Sequence, residues 1–482
     1  MQKDTTKVYS DVLKKITPTK DEQKKFASLA KMLEQKVAAA CKRRNIDATV
    51  RVEGSVAKDT WISEKPDIDV FMQLSTSIPR DSLGEVSLEI AREATAGSQQ
   101  QIERFAEHPY LEAFVDDVRV NVVPCYVVKR GEWLSATDRT PFHTDYIKKH
   151  LDAELRGEVR LLKRFMQGIG VYGAEIKIGG FSGYLCELLI LHYKSLTETL
   201  KAFAQCTQRI TIDIESYYMN RPKEPQLLFA EPLVVVDPVD KGRNVASAVQ
   251  PQKLHMLIAA ARAFLKTPST AFFYPPLIKA YPAQVLKQKL ENRGSAHVFL
   301  TCAAGEAVPD VIWGQLYRTQ RSLRKLAELN DFKVLRDVVW SDEKTLHIFI
   351  LEFEQRVLSK VKKHFGPPLA KEAECDNFLA KYSRGNDSVV SGPYIEAGRW
   401  VVVLQRRCTD AVELLEEKLR NGGRDIGVAE LVSGALKEKF AVLVDAEISE
   451  VYRGNSGFAA FLTDFLEGKP FWLTNTRAPS KS

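Results

Sequence analysis

A mixed α+β chain of several domains is predicted by three observations. Residues 1–130 interleave strand-like runs with helical ones; residues 141–266 are mostly helical; after residue 268 strands and helices alternate again. At 482 residues the chain is long enough for two to four domains with real cores. The expected divisions fall at 1–140, 141–266 and 267–482.

The first helix is expected over 22–44, where apolar residues recur at helical spacing and the end is basic. A strand over 48–52 runs into Gly54-Ser55, and a second covers 67–74. Residues 81–96 read as a helix, and strands follow over 101–106, 110–115 and 118–128. Three helices are expected over 141–155, 157–170 and 181–204, separated by the Gly-rich GVYGAEIKIGG. A strand over 232–237 and a helix over 251–266 come next. Beyond them, strands are expected over 297–302, 346–353 and 399–405, with an amphipathic basic helix over 315–329. The segment 383–398 reads as a loop.

Composition narrows the function classes. The hydrophobic fraction of 45% and charged fraction of 27% are ordinary for a globular protein. No apolar run reaches membrane-spanning length, and the first ten residues have no signal-peptide core. Seven scattered cysteines with no CxxC pair read as free thiols in a reducing compartment, so a cytoplasmic location is expected. The net charge of +7 is compatible with RNA without demonstrating it.

The chemistry gathers in Val52 to Leu74. Asp67 and Asp69 are two apart on a strand, so their carboxylates share a face. Two like charges side by side are useful mainly for sharing a cation, and with the small Gly54-Ser55 turn they suit Mg²⁺ and substrate phosphates. That is the chemistry of nucleotidyl transfer. Backbone N–H groups and the Ser55 hydroxyl at the turn suit phosphate; the plain alternative is a helix cap.

The runs GSVAKDTW, DIDVFMQL, AEHPYLEAF, VVPCY, DRTPFH, EVRLLKRF, GVYGAEIKIGGFSGYLCELLI, DPVDKGRNVASA, RSLRKLAELNDFKVLR and IEAGRW occur in this order across nearly the whole chain. Together they resemble the archaeal-type (class I) CCA-adding enzymes, tRNA nucleotidyltransferases of the DNA polymerase beta superfamily. The resemblance implies a polymerase-beta-like catalytic head with a mixed sheet, a helical neck, and an α/β body and tail that grip the tRNA acceptor stem. It implies addition of C, C and A to tRNA 3′ ends from CTP and ATP without a nucleic-acid template, and leaves a homodimer open.

Residue by residue, the resemblance places Mg²⁺ on Asp67 and Asp69 and nucleotide contacts at Gly54, Ser55, Lys58, His143, Lys163, Tyr172 and Arg243. Lys58 stands where the family usually has Arg, so the charge stays but bidentate geometry is lost. Lys163 and Tyr172 fall on the triphosphate, and Arg243 faces the base edge with a fork suited to two acceptors. The plain alternatives are a cap or surface residue for His143, a solvated helix face for Lys163, a core aromatic for Tyr172 and a phosphate or surface contact for Arg243. The basic helix near 315–336 and the segment 356–364 would meet RNA backbone.

One departure matters. The family has a third carboxylate before VVPCY; here the position is Asn121. An amide offers an oxygen to a cation but no charge, and takes no proton. Asp117, four residues back along the strand, would lie about 13 Å away, and Asp116 has the opposite parity, so no local replacement is expected. Three accounts stay open: a deliberate Asp→Asn change, a homologue that keeps RNA binding but has lost transfer, or slow transfer with two carboxylates. A nucleotidyltransferase acting on another RNA or nucleotide acceptor is a further alternative.

Overall fold

The computed structural model describes residues 2–64, 66–105, 108–383 and 386–474. It divides into two compact units, residues 1–276 with 470–482, and residues 277–469. Ala106, the last residue of the strand expected over 101–106, and Glu107 of the AEHPYLEAF run lie outside the described residues.

The first unit opens with helices α1 (Gln2–Ile16) and α2 (Lys20–Arg43). Thr19 caps α2 through a capping box: its hydroxyl accepts from Glu22 N at 3.2 Å, and the Glu22 carboxylate accepts from Thr19 N at 2.7 Å. Next come β1 (Ala48–Glu53), the short α3 (Gly54–Ala57), β2 (Asp67–Leu74), α4 (Arg80–Ala94), β3 (Gln100–Phe105), β4 (Pro109–Val115) and β5 (Val118–Tyr126). The strands form one sheet in the order β1-β2-β5-β4-β3, with β2 and β5 parallel and the other pairs antiparallel. Strand alternation sends Ile68, Val70, Met72, Val120 and Val122 to one face, where they are buried in a core with residues of α2 and α4. Each such side chain contributes roughly 1.5–3 kcal/mol by leaving water. Asp67, Asp69 and Asn121 are left on the opposite face.

Asp116 and Asp117 form the two-residue β4–β5 turn, with φ of 50° and 62°. The Asp117 carboxylate accepts from Gln99 Nε2 at 2.9 Å. Asp117 is thus a turn residue rather than a strand position, and neither aspartate serves the strand end.

A second core fills the rest of this unit. It is built by α1, α5 (Thr140–His150), α6 (Ala153–Gly168), α7 (Gly183–Tyr193), α8 (Leu196–Ala204), the small sheet β6 (Ile210–Ile212)–β7 (Leu233–Asp237)–β8 (Asp240–Asn244) and α10 (Pro251–Lys266); the short α9 (Glu224–Leu228) lies outside it. The helix α7 is apolar nearly all round and buried from Leu185 to Leu191, as a central helix must be. The single helix expected over 181–204 is two helices. Lys194 takes a left-handed φ of 69°, and the Ser195 hydroxyl caps α8 by accepting from Glu198 N at 3.1 Å.

The second unit has α11 (Ala283–Glu291), β9 (Ala296–Ala303), α12 (Pro309–Leu329), β10 (Val334–Ser341), β11 (Leu346–Phe353), β12 (Val361–Pro368), α13 (Glu372–Tyr382), β13 (Val389–Glu396), β14 (Arg399–Gln405), α14 (Ala411–Leu419), α15 (Glu430–Glu438), β15 (Phe440–Val444), α16 (Ser449–Gly454) and α17 (Ser456–Glu467). Its sheets run β10-β11-β9-β15 and β12-β14-β13. The segment expected as a loop over 383–398 contains β13, an edge strand that tolerates Pro393 because one of its sides needs no ladder donor. The basic helix expected near 315–336 is helical only to Leu329; β10 starts at Val334. No helix among the described residues is long and apolar enough to cross a membrane. All seven cysteines are free.

Candidate active site

The parallel register of β2 and β5 pairs Asp67 with Arg119 and Asp69 with Asn121. The two aspartates and the amide, fifty residues apart in sequence, therefore stand together at one end of the central strands. Asn121 Nδ2 donates to Asp69 Oδ1 at 2.9 Å, and Arg119 Nη2 donates to Asp67 Oδ2 at 2.8 Å. Desolvation, then the neighbouring Asp67 charge, pushes the Asp69 carboxyl up to about 6; the Asn121 bond and the charges of Lys58 and Arg119 oppose this. Among the described residues, no three acidic, histidine or cysteine side chains gather closely enough to hold a metal ion.

Gly54 is required at this strand end. Its φ is 71°, and a Cβ there would lie 2.1 Å from Asp69 Oδ2. Ser55 follows in α3, and its carbonyl accepts from Thr60 N at 3.0 Å.

Lys58 and Lys163 converge on one carboxylate, the fully buried Glu187 of α7. Lys58 Nζ and Thr60 Oγ1 each donate to Glu187 at 2.6 Å, and Lys163 Nζ reaches it at 3.3 Å. Lys163 also donates to the Thr60 carbonyl at 3.1 Å and Thr60 Oγ1 at 3.0 Å. Burial alone would raise Glu187, but the two ammonium groups outweigh it and hold the carboxyl below its ordinary range. Burial lowers Lys163, with Glu187 opposing. Tyr172 joins the group at the start of α7. A Cβ on Gly183 would sit 3.1 Å from the Tyr172 hydroxyl and 3.6 Å from Lys163 Nζ, so glycine keeps this space open.

His143 and Arg243 meet at a second buried carboxylate, Asp237. His143 Nε2 lies 2.8 Å and Arg243 Nη1 2.7 Å from Asp237 Oδ2. Val239 N donates to Oδ1 at 3.0 Å and the Tyr184 hydroxyl at 3.3 Å. Burial raises the Asp237 carboxyl, but His143 and Arg243 win and hold it at about 2. Burial lowers His143. The His143 ring stacks on Tyr184 with centroids 4.1 Å apart, and Lys58 Nζ lies 5.6 Å above the same Tyr184 ring. Tyr184 thus links the lysine cluster to the histidine–arginine cluster.

All of the expected site residues fall into these three linked groups. Sequence reasoning missed Arg119, Thr60, Tyr184, Glu187 and Asp237, which hold the others in place. Apart from Arg119, their only signal was membership of GSVAKDTW, GFSGYLCELLI and DPVDKGRNVASA.

In the second unit, Arg318, Arg321 and Lys325 of α12 are exposed, lie on one helix face by their spacing, and make no ion pair among the described residues. The stretch 356–364 differs, because Arg356 pairs with Asp410, Lys362 with Asp331 and Lys363 with Glu396.

Three family models cover most of the chain: a nucleotidyltransferase domain over residues 34–151, the second domain of tRNA nucleotidyltransferase over 157–274, and the C-terminal domain of the CCA-adding enzyme over 293–445. Among full-length relatives, the CCA-adding enzyme of Methanosarcina acetivorans is 37% identical, covering 93% of this chain and 96% of its own length. That of Methanothermobacter thermautotrophicus is 34% identical over 95% of this chain and 97% of its own. That of Pyrobaculum aerophilum is 37% identical over 90% and 97%. The chain belongs to the archaeal-type CCA-adding enzymes and is a nucleotidyltransferase.

Proposed function

We propose that this chain adds C, C and A to tRNA 3′ ends from CTP and ATP without a nucleic-acid template. The observation that carries the reading is the β2–β5 register, which brings Asp67, Asp69 and Asn121 together beside Gly54. A divalent cation, Mg²⁺ in this reading, fits the residues present. Burial and then Asp67 push Asp69 up to about 6, a shared cation relieves the Asp67 repulsion, and at Gly54 no Cβ stands against Asp69 Oδ2. Asp67 and Asp69 would hold it; when bound it lowers the pKa of the acceptor hydroxyl and neutralises phosphate charge.

The chain's own side chains divide the remaining work. Gly54 and Ser55 let backbone N–H groups approach the phosphates. Lys58, Lys163 and Tyr172 surround the start of α7 and orient the triphosphate. His143 and Arg243, braced by Asp237, face the base. The exposed basic face of α12 holds the RNA backbone. In domain terms, residues 1–140 act as catalytic head, 141–266 as neck and 267–482 as body and tail.

A second reading, a silent tRNA-binding homologue, is favoured by Asn121 alone, whose amide donates to Asp69 and brings no charge. Incubation with Mg²⁺, labelled CTP or ATP and tRNA lacking its 3′ end separates the two. Transfer by the chain as it stands supports the enzyme. Tight tRNA binding with transfer appearing only after Asn121→Asp supports the silent homologue.

A further inference from the structure

The row of side chains that contains Asp69 and Asn121 does not stop there. On the antiparallel β4–β5 ladder, Glu112 stands directly opposite Asn121. Directly opposed residues share a face, with Cβ atoms about 4.5–5.5 Å apart. Glu112 is therefore on the acidic face, one strand beyond the amide, and its extra methylene extends its reach. It is only 7% exposed, an expensive place for a charge without a task. Arg104 holds it, but both bonds, 2.8 and 3.3 Å, end on Oε1. Oε2 accepts no hydrogen bond among the described residues. The charge of Glu112 also reaches Arg119, the partner of Asp67. Glu53 flanks the row on its other side, opposite Asp69, but burial pushes its carboxyl up to about 6, with Thr144 and then Arg51, whose Nε lies 3.1 Å away, opposing.

We propose that Glu112 supplies the third negative charge of the acidic centre, replacing from across the ladder the carboxylate that Asn121 lacks. Arg104 holds Glu112 by one oxygen and releases it toward the centre when a divalent cation and nucleotide are bound. This rests on the reading that Asp67 and Asp69 bind such a cation.

Binding of Mn²⁺ in the presence of CTP, followed by electron paramagnetic resonance without tRNA, tests this apart from activity. Single-turnover C addition and melting temperature are measured alongside. Glu112→Gln is expected to weaken Mn²⁺ about tenfold or more. Arg104→Gln, which removes the same ion pair, is expected to leave Mn²⁺ affinity unchanged or tighter. Adding Asn121→Asp to Glu112→Gln is expected to restore affinity to within about threefold of the parent chain. The double Arg104→Gln, Glu112→Gln leaves neither charge unpaired, so it keeps the test readable if Glu112→Gln alone unfolds; it should weaken Mn²⁺ as Glu112→Gln does. A purely structural ion pair instead makes Arg104→Gln and Glu112→Gln behave alike, with no rescue, and that result overturns the proposal. So does unchanged Mn²⁺ affinity in Glu112→Gln while Asp69→Asn abolishes binding, which leaves the cation reading intact. Asp69→Asn binding Mn²⁺ as tightly as the parent overturns both.

Discussion

Gly54 and Asp237 show how single residues set this site. A side chain at Gly54 would need a left-handed backbone, costing roughly 1–2 kcal/mol, and would also run into Asp69 Oδ2. Gly54→Ala is thus expected to lower stability modestly in urea unfolding but to lose Mn²⁺ and CTP binding far more severely, because Asp69 must move. Asp237 carries a pH signature. Its folded pKa of about 2 lies below the ordinary 3.8, so it adds stability above pH 4 that is lost as the pH falls through about 2. The stability advantage of the parent chain over Asp237→Asn should shrink by about 2 kcal/mol between about pH 5 and pH 2, read from urea titrations. Residues such as Asp67 and Asp69 were legible in the sequence because i, i+2 spacing on a strand fixes their relation. Glu112 and Glu187 were not, because ladder register and helix packing bring them in from distant segments.

At the scale of elements, α7 is the hub. Ser182 caps it by accepting from Leu185 N at 3.1 Å, and Glu187 one turn further on accepts from both lysines. Glu187→Gln leaves two buried ammonium groups without a countercharge and is expected to cost on the order of 3 kcal/mol in urea unfolding. Lys163→Met should cost less, because Lys58 and Thr60 still satisfy Glu187. The strand β2 matched its expected bounds, since an apolar-rich run headed by two aspartates has few other ways to fold. The break at Lys194 was missed, because a lysine in a left-handed turn has no composition signal. The strand β13 was missed because Gly392 and Pro393 read as breakers, and only its edge position accommodates them.

At the scale of the whole molecule, the first unit holds two large cores, and the second unit holds a large core, another of about half its size and a small one. The net charge of +7 is too thin over 482 residues to name a partner, but the exposed face of α12 concentrates part of it. Replacing Arg318, Arg321 and Lys325 together by Ala should weaken tRNA binding and flatten its salt dependence by about one unit of slope for each phosphate no longer neutralised. CTP binding without tRNA should not change. The most direct test of the whole account is addition of labelled CTP and then ATP to tRNA lacking its 3′ end. A completed CCA end from the chain as it stands, abolished by Asp67→Asn or Asp69→Asn, is the expected result. No nucleotide added by either the parent chain or Asn121→Asp would contradict it.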